Sequence, residues 1–406
     1  MTTGTSKPRR SLNLKGLLGP ALVAGVAYID PGNIATNLTA GSKFGYLLIW
    51  VLVLATASAA LFQFLSAKLG TVTGLSLPAA LGKRITNDKV RVAFWAQAEA
   101  VAIATDIAEV LGGAIALSLL SRAPLLVCAV VVALISLAIT WFRQRAKTEF
   151  NGIVIVLMLI ATVGFSYIML ISKISWGGLA AGMVPQIRGT SSLLLATSII
   201  GATIMPHAIY AHSSLSRDNA VEQSMARRVR GIRTDVALAM GLAGLGNLAV
   251  MVFSAATLGG SSQATMQGAA DLLDSRLGAG IGLVFVLALF SSGLASSAVG
   301  NFAAGEISLG LLRRRIPPLV RWMLALGPAL IIISLIPNIT DAVVYSQVVL
   351  SFGLPFALFP LVYLTADRKI MGDFASSKVV IGLGYGLASL LSLINIWLVS
   401  SLIFGF

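Results

Sequence analysis

The sequence predicts an all-α integral membrane protein of eleven transmembrane helices, built as two inverted five-helix repeats plus one added helix, with helices one and six discontinuous. Three observations carry this. Of the 406 residues, 57% are apolar and only 11% charged. The apolar residues fall into eleven runs, each long enough for a bilayer core of about 30 Å, which takes roughly 20 residues. Two of these runs, five apart in order, are interrupted by Pro/Gly turn signals. A soluble domain carries roughly 25% charged residues, so that class is excluded.

The runs lie at residues 17–40, 46–69, 92–120, 124–142, 151–172, 191–215, 235–258, 278–308, 320–337, 342–364 and 379–404. Residues 1–16 read as a cytoplasmic tail, 17–172 as the first repeat, 191–364 as the second and 379–404 as the added helix. The apolar run behind Lys7, Arg9, Arg10 and Lys15 continues too far for a secretory signal. With the N-terminus in the cytoplasm, alternate loops hold 24 of the 29 basic residues; the opposite side holds Lys43, Arg122, Lys173, Arg188 and Arg276. The positive-inside rule then puts the C-terminus outside a cell (plasma) membrane. The net charge of +14 reads as a topology signal and not as a nucleic-acid face. The longest cytoplasmic connection, residues 216–234, is basic and expected to be partly helical. A lone cysteine, Cys128, excludes an internal disulfide, and without a CxxC pattern there is no zinc-finger type site.

The first run reads GPALVAGVAYIDPGNIATNL, with Asp30, Pro31, Gly32 and Asn33 inside an apolar span. Proline lacks a donor and glycine lowers helix propensity, so the helix should break and leave backbone groups without partners. The sixth, SIIGATIMPHAIYAHSSL, breaks likewise at Met205, Pro206 and His207, with Gly201 and Thr203 loosening the turn before. Such groups are tolerated at membrane depth only around a polar cavity. A single transmembrane proline is an ordinary kink, but a carboxylate beside it needs a cation, a proton or a partner.

The two breaks offer a carboxylate from Asp30, an amide oxygen from Asn33, a thioether from Met205 and freed carbonyls of Ala202 and Ala27. Magnesium and calcium gain little from a thioether, whereas manganese, ferrous iron and softer ions gain more. The expected cargo is therefore Mn2+ or Fe2+, with Cd2+, Co2+ or Zn2+ also accommodated and no permanently bound cofactor. In the tenth run, Ser346 and Gln347 offer an amide that reaches the ion when the cavity closes; a helix–helix hydrogen bond is the equal alternative. The only two histidines, His207 and His212, lie in or just after the second break. His207 is the candidate for coupling ion entry to a proton, against a structural role that weighs more for His212. In the third run, Glu99, Asp106 and Glu109 share one helix face. They suit a proton relay, or pairing with buried arginines that holds helices together.

DPGNIATNL at 30–38, IATDIAEVLG at 103–112, GATIMPHAIYAHSSL at 201–215 and SQVVLSFGLPFAL at 346–358 resemble the Nramp family of proton-coupled divalent-metal transporters. The resemblance spans nearly the whole chain. It implies a LeuT-type fold importing manganese or iron with protons. It also implies metal ligation by Asp30, Asn33, Met205 and the Ala202 carbonyl, with Gln347 joining in an occluded state. Proton passage falls to Asp30, His207, Asp106 and Glu109, with Glu99 further along. Ala208 stands where the family often has Asn, and Leu294 where it has Gln, while Met205 sets the chain apart from magnesium-transporting relatives that lack it. A sodium-coupled amino-acid transporter would use the same breaks, but Asp30 would repel the substrate carboxylate. An intramembrane hydrolase needs an H-E-x-x-H pair or paired catalytic aspartates, and neither is present. Partners are thus the ion, protons and the lipid bilayer, with a monomer sufficient for the site.

Overall fold

The computed structural model describes residues 19–143, 146–218, 224–261 and 264–404. The basic N-terminal tail lies outside the described residues, as does the middle of the 216–234 connection. Every regular element among the described residues is helical.

The first run folds as two pieces. Helix α1 (Pro20–Gly25) continues into a 3-10 turn over Val26–Tyr28, and α2 (Pro31–Phe44) restarts after Ile29 and Asp30, both outside helical conformation. Pro31 sits where a missing N–H costs nothing, and Asp30 caps the new helix by accepting from the Asn33 amide at 2.8 Å. Then come α3 (Ile49–Thr73), the short α4 (Leu77–Arg84), α5 (Asp88–Ser121), α6 (Leu125–Arg143), α7 (Lys147–Ile171) and a surface turn α8 (Trp176–Ala181). The sixth run is α9 (Gly189–Thr203) and α10 (Pro206–Asp218), with Ile204 extended between them.

Helix α11 (Met225–Phe253) follows, then α12 (Ala269–Leu277), α13 (Ile281–Leu311) and α14 (Pro318–Leu335). The 216–234 connection is helical where described, because α10 runs on to Asp218 and α11 begins at Met225. The tenth run, expected as one span, is also broken. It forms α15 (Ile339–Ser351) and α16 (Leu354–Ala366), separated at Phe352 and Gly353. Pro355 has no N–H to return to the Ser351 carbonyl. Asn395 supplies one at 2.7 Å, from α18 (Lys378–Phe404), which follows the short α17 (Arg368–Met371). The last helix thus repairs the break in the tenth run.

Nine spans among the described residues are long and apolar enough to cross a membrane, counting Gly189–Asp218 and Ile339–Ala366 each as one. The other two expected spans are the broken first run and the shorter apolar helix Leu319–Leu335. Three residues counted above with the cytoplasmic loops are instead buried in helices: Lys68, Arg91 and Arg321. Each has a partner there, respectively the Ser376 hydroxyl, the Leu311 carbonyl and the carboxylates of Glu99 and Asp106.

Helix α13 forms the centre of the bundle, packing on α5 and α7, while α10 lies along α3 and α9 along α15. Close approach of backbones sets these crossings, as in other membrane bundles. A Cβ on Gly201 would stand 2.1 Å from the Gln347 carbonyl, and one on Gly70 would stand 2.1 Å from the Ser213 carbonyl.

Candidate metal centre

Both breaks arise in the same way. Pro31 and Pro206 have no N–H, so the carbonyls four residues earlier, those of Ala27 and Ala202, have no helical donor. The Ala202 carbonyl finds its donor in the other break, accepting from Asn33 Nδ2 at 2.9 Å. The same nitrogen donates to Asp30 Oδ1 at 2.8 Å, and Thr203 Oγ1 donates to Asn33 Oδ1 at 3.3 Å. Asp30, Asn33 and Ala202 thus meet at one point, although Asn33 and Ala202 are 169 residues apart in the chain. Met205 is fully buried in the second break, with its carbonyl accepting from Ile209. Ala27 is fully buried in the 3-10 turn of the first, and no bond ties it to the other four.

Gln347 of α15 lies against α2, where a Cβ on Gly32 would stand 2.4 Å from its Nε2. Its amide nitrogen donates to Ser346 Oγ at 3.1 Å, and its Oε1 is buried without a partner, as is Asp30 Oδ2. Buried acceptors without donors favour positive charge nearby. Among the described residues no three His, Cys, Asp or Glu side chains cluster as a metal site. The break instead combines one carboxylate with neutral oxygens and a sulfur.

A second set of polar residues, not singled out in the sequence, locks the first break on its α1 side. Gln63 Nε2 donates to the Tyr28 hydroxyl, and Gln63 Oε1 lies 2.6 Å from His212 Nδ1. The carbonyls of Tyr28 and Ile29 are capped by Asn247 Nδ2 at 2.6 Å and Ser292 Oγ at 2.7 Å, and Asn37 holds Asn247 in turn at 2.9 Å. The signal available in the sequence was an amide in an otherwise apolar span, at Gln63 and Asn247. His212 belongs to this layer, away from the Asp30–Ala202 contact.

The acidic face of α5 is buried, and two of its three carboxylates pair with a buried arginine. Arg321 Nε reaches Glu99 Oε1 at 2.8 Å and its Nη2 reaches Asp106 Oδ2 at 2.9 Å, with Ser308 donating to Glu99 Oε2 at 3.2 Å. Glu109, fully buried, has no partner at either oxygen. Gly300 of α13 lets both carboxylates approach, since a Cβ there would stand 3.1 Å from Glu109 Oε2 and 3.2 Å from Asp106 Oδ1. His207 Nδ1 lies 3.4 Å from Thr105 Oγ1, beside Asp106, and its Nε2 is buried and unpaired. Arg321 and Thr105 are the residues that sequence reasoning missed here. Of the two departures, Ala208 is fully buried in the first turn of α10 and Leu294 is half-buried on α13.

Broken helices meeting at a buried polar centre, in an all-helical membrane fold, define a membrane transporter of LeuT type and not an enzyme. Residues 21–401 match the family model described as Natural resistance-associated macrophage protein-like, and the chain belongs to the Nramp family. It is 44% identical over 389 residues to a divalent metal cation transporter, MntH, of Mycobacterium tuberculosis, covering 94% of this chain and 91% of that one. A structure of the Eremococcus coleocola manganese transporter, in complex with an aromatic bis-isothiourea substituted compound, matches with TM-score 0.85 at 28% identity, covering 98% of this chain and 89% of that one. Mhp1, a nucleobase-cation-symport-1 family transporter in a closed conformation, shares the fold at TM-score 0.63 and 14% identity, covering 95% and 91%.

Proposed function

We propose that the chain is a secondary active transporter that imports manganese or ferrous iron together with protons by alternating access. The relatives named for divalent metal cations and for manganese support the cargo class. The observation that carries the assignment is the convergence of Asp30, Asn33 and the Ala202 carbonyl across two broken helices, with Asp30 Oδ2 buried and unpaired. A lone carboxylate at that depth is costly unless a cation or proton offsets it, and each does so in turn during transport. Asp30, Asn33, Met205 and the Ala202 carbonyl bind the ion. The Ala27 carbonyl, lacking its helical donor, and Gln347, poised on α2, complete the shell as the site closes. The Met205 thioether favours Mn2+, Fe2+, Cd2+, Co2+ and Zn2+ over calcium and magnesium.

Protons leave Asp30 by way of His207, whose free Nε2 and contact with Thr105 lead toward Asp106 and Glu109, and then Glu99. Arg321 pairs with the far carboxylates, Glu99 and Asp106, while Glu109 takes and releases the proton. His212 serves the Tyr28–Gln63 layer, which seals the α1 side. The charge pattern supports a cytoplasmic N-terminus and an outer C-terminus in the cell membrane, and the site needs only one copy of the chain. Proteoliposomes test the reading: manganese added outside should enter and acidify the lumen, and Asp30→Ala should abolish uptake. Manganese entry without acidification would leave a metal uniporter, and uptake by the Asp30 variant would remove the site.

A further inference from the structure

We infer that Asn33 can close the site on itself, its side-chain NH2 standing where the cation goes, and that Thr203 is the positioning residue that serves this amide in both of its orientations. The inference rests on the ligand assignment proposed above.

Asn33 Nδ2 is 2.8 Å from Asp30 Oδ1 and 2.9 Å from the Ala202 carbonyl, so both of its hydrogens point at the oxygens that would hold the ion. The amide is a tethered, partly positive stand-in for the cargo. A hard divalent ion approaches its oxygen ligands to about 2.0–2.6 Å, so it cannot share that gap with the NH2 group. The torsion that carries an asparagine amide is broad and soft. Half a turn exchanges Nδ2 for Oδ1 and gives the ion a third oxygen.

The turn sends NH2 to where Oδ1 now lies, which is in front of Thr203. In this closed arrangement Thr203 Oγ1 donates to Asn33 Oδ1 at 3.3 Å. A hydroxyl both donates and accepts, so the same oxygen can receive the NH2 after the turn. Thr203 is 1% exposed, and it directly follows the Ala202 carbonyl at the end of α9. The hydroxyl therefore stays in register with a ligand. The ordinary alternative is a threonine that only packs a helix end.

Thr203→Val distinguishes the two. Without the hydroxyl, the closed arrangement keeps both acceptors of the NH2 group and loses one bond to a carbonyl oxygen. The loaded arrangement strands a buried NH2, which proteins tolerate less well than an under-satisfied carbonyl. Calorimetric titration of the purified full chain with Mn2+ should show affinity about three- to tenfold weaker in Thr203→Val and restored in Thr203→Ser. The cation-free melting temperatures of the three proteins should stay close, which a packing role would not predict. With asparagine 15N-labelled, the Asn33 side-chain signals should move on adding diamagnetic Cd2+. Equal affinity in Thr203→Val, or no rescue by serine, overturns the inference while leaving the metal site standing. Absence of Mn2+ binding by the unmodified chain removes the site, and the inference with it.

Discussion

Replacing Arg321 by methionine takes one buried cation from between two buried carboxylates. The guanidinium is 3% exposed and holds Glu99 and Asp106 at 2.8 and 2.9 Å, one cation between two carboxylates. Without it, two carboxylates remain on one helix face with Glu109 nearby. Breaking a buried pair by removing one partner costs about 3–5 kcal/mol, most of it the stranded charge. Neutralising all three groups together, as Glu99→Gln, Asp106→Asn and Arg321→Met, should recover most of the stability, because no charge is left unpaired. The same triple variant should still move manganese while losing the acidification that accompanies it. Thermal inactivation in detergent, read as a rate because large membrane proteins unfold irreversibly, gives the first quantity, and proteoliposome flux gives the second. If Arg321→Met inactivated as slowly as the parent at neutral pH, the ion triad would not be holding these helices, and the electrostatic reasoning would be wrong.

Three further outcomes follow from the geometry. Met205→Ala should keep manganese transport but admit calcium or magnesium; an unchanged ion preference in competition uptake would remove sulfur from the selectivity argument. Gly201→Ala puts a methyl 2.1 Å from the Gln347 carbonyl, and because that contact is backbone, α9 and α15 must separate. The expected cost is about 1–3 kcal/mol of overpacking, with weaker metal binding by titration, and unimpaired binding would show that Gln347 does not approach the ion. Gln63→Leu strands the Tyr28 hydroxyl and His212, both fully buried, and should loosen α1 from the layer that seals it. A cysteine introduced at the first break should then label faster, against low background from the buried Cys128; an unaltered rate would exclude this layer as a seal.

The physical basis of the site was largely local, and so it was legible. A proline's missing N–H frees the carbonyl four residues earlier whatever surrounds it, which marks both Ala27 and Ala202. Asp30 and Asn33 are three residues apart across one such break, and their bond forms within a single turn. The break at Phe352 follows the same rule through Pro355, but its apolar neighbours offered no charged residue to draw notice.

The sequence by itself determined the class of protein, the positions of the membrane runs, the two proline breaks and the acidic face of the third run. Each depends on residues contiguous in the chain, where length, hydropathy and backbone donors are counted directly. Only the tertiary structure decided who meets whom. Arg321 reaches carboxylates 215 and 222 residues away, His212 bonds a glutamine 149 residues earlier, and Asn395 closes a gap 44 residues before it. An apolar helix face carries the same pattern whichever neighbour covers it. Partner choice is therefore settled by how the helices cross, and the glycines at those crossings acquire their meaning only once a backbone stands 2.1 Å from where a side chain would be.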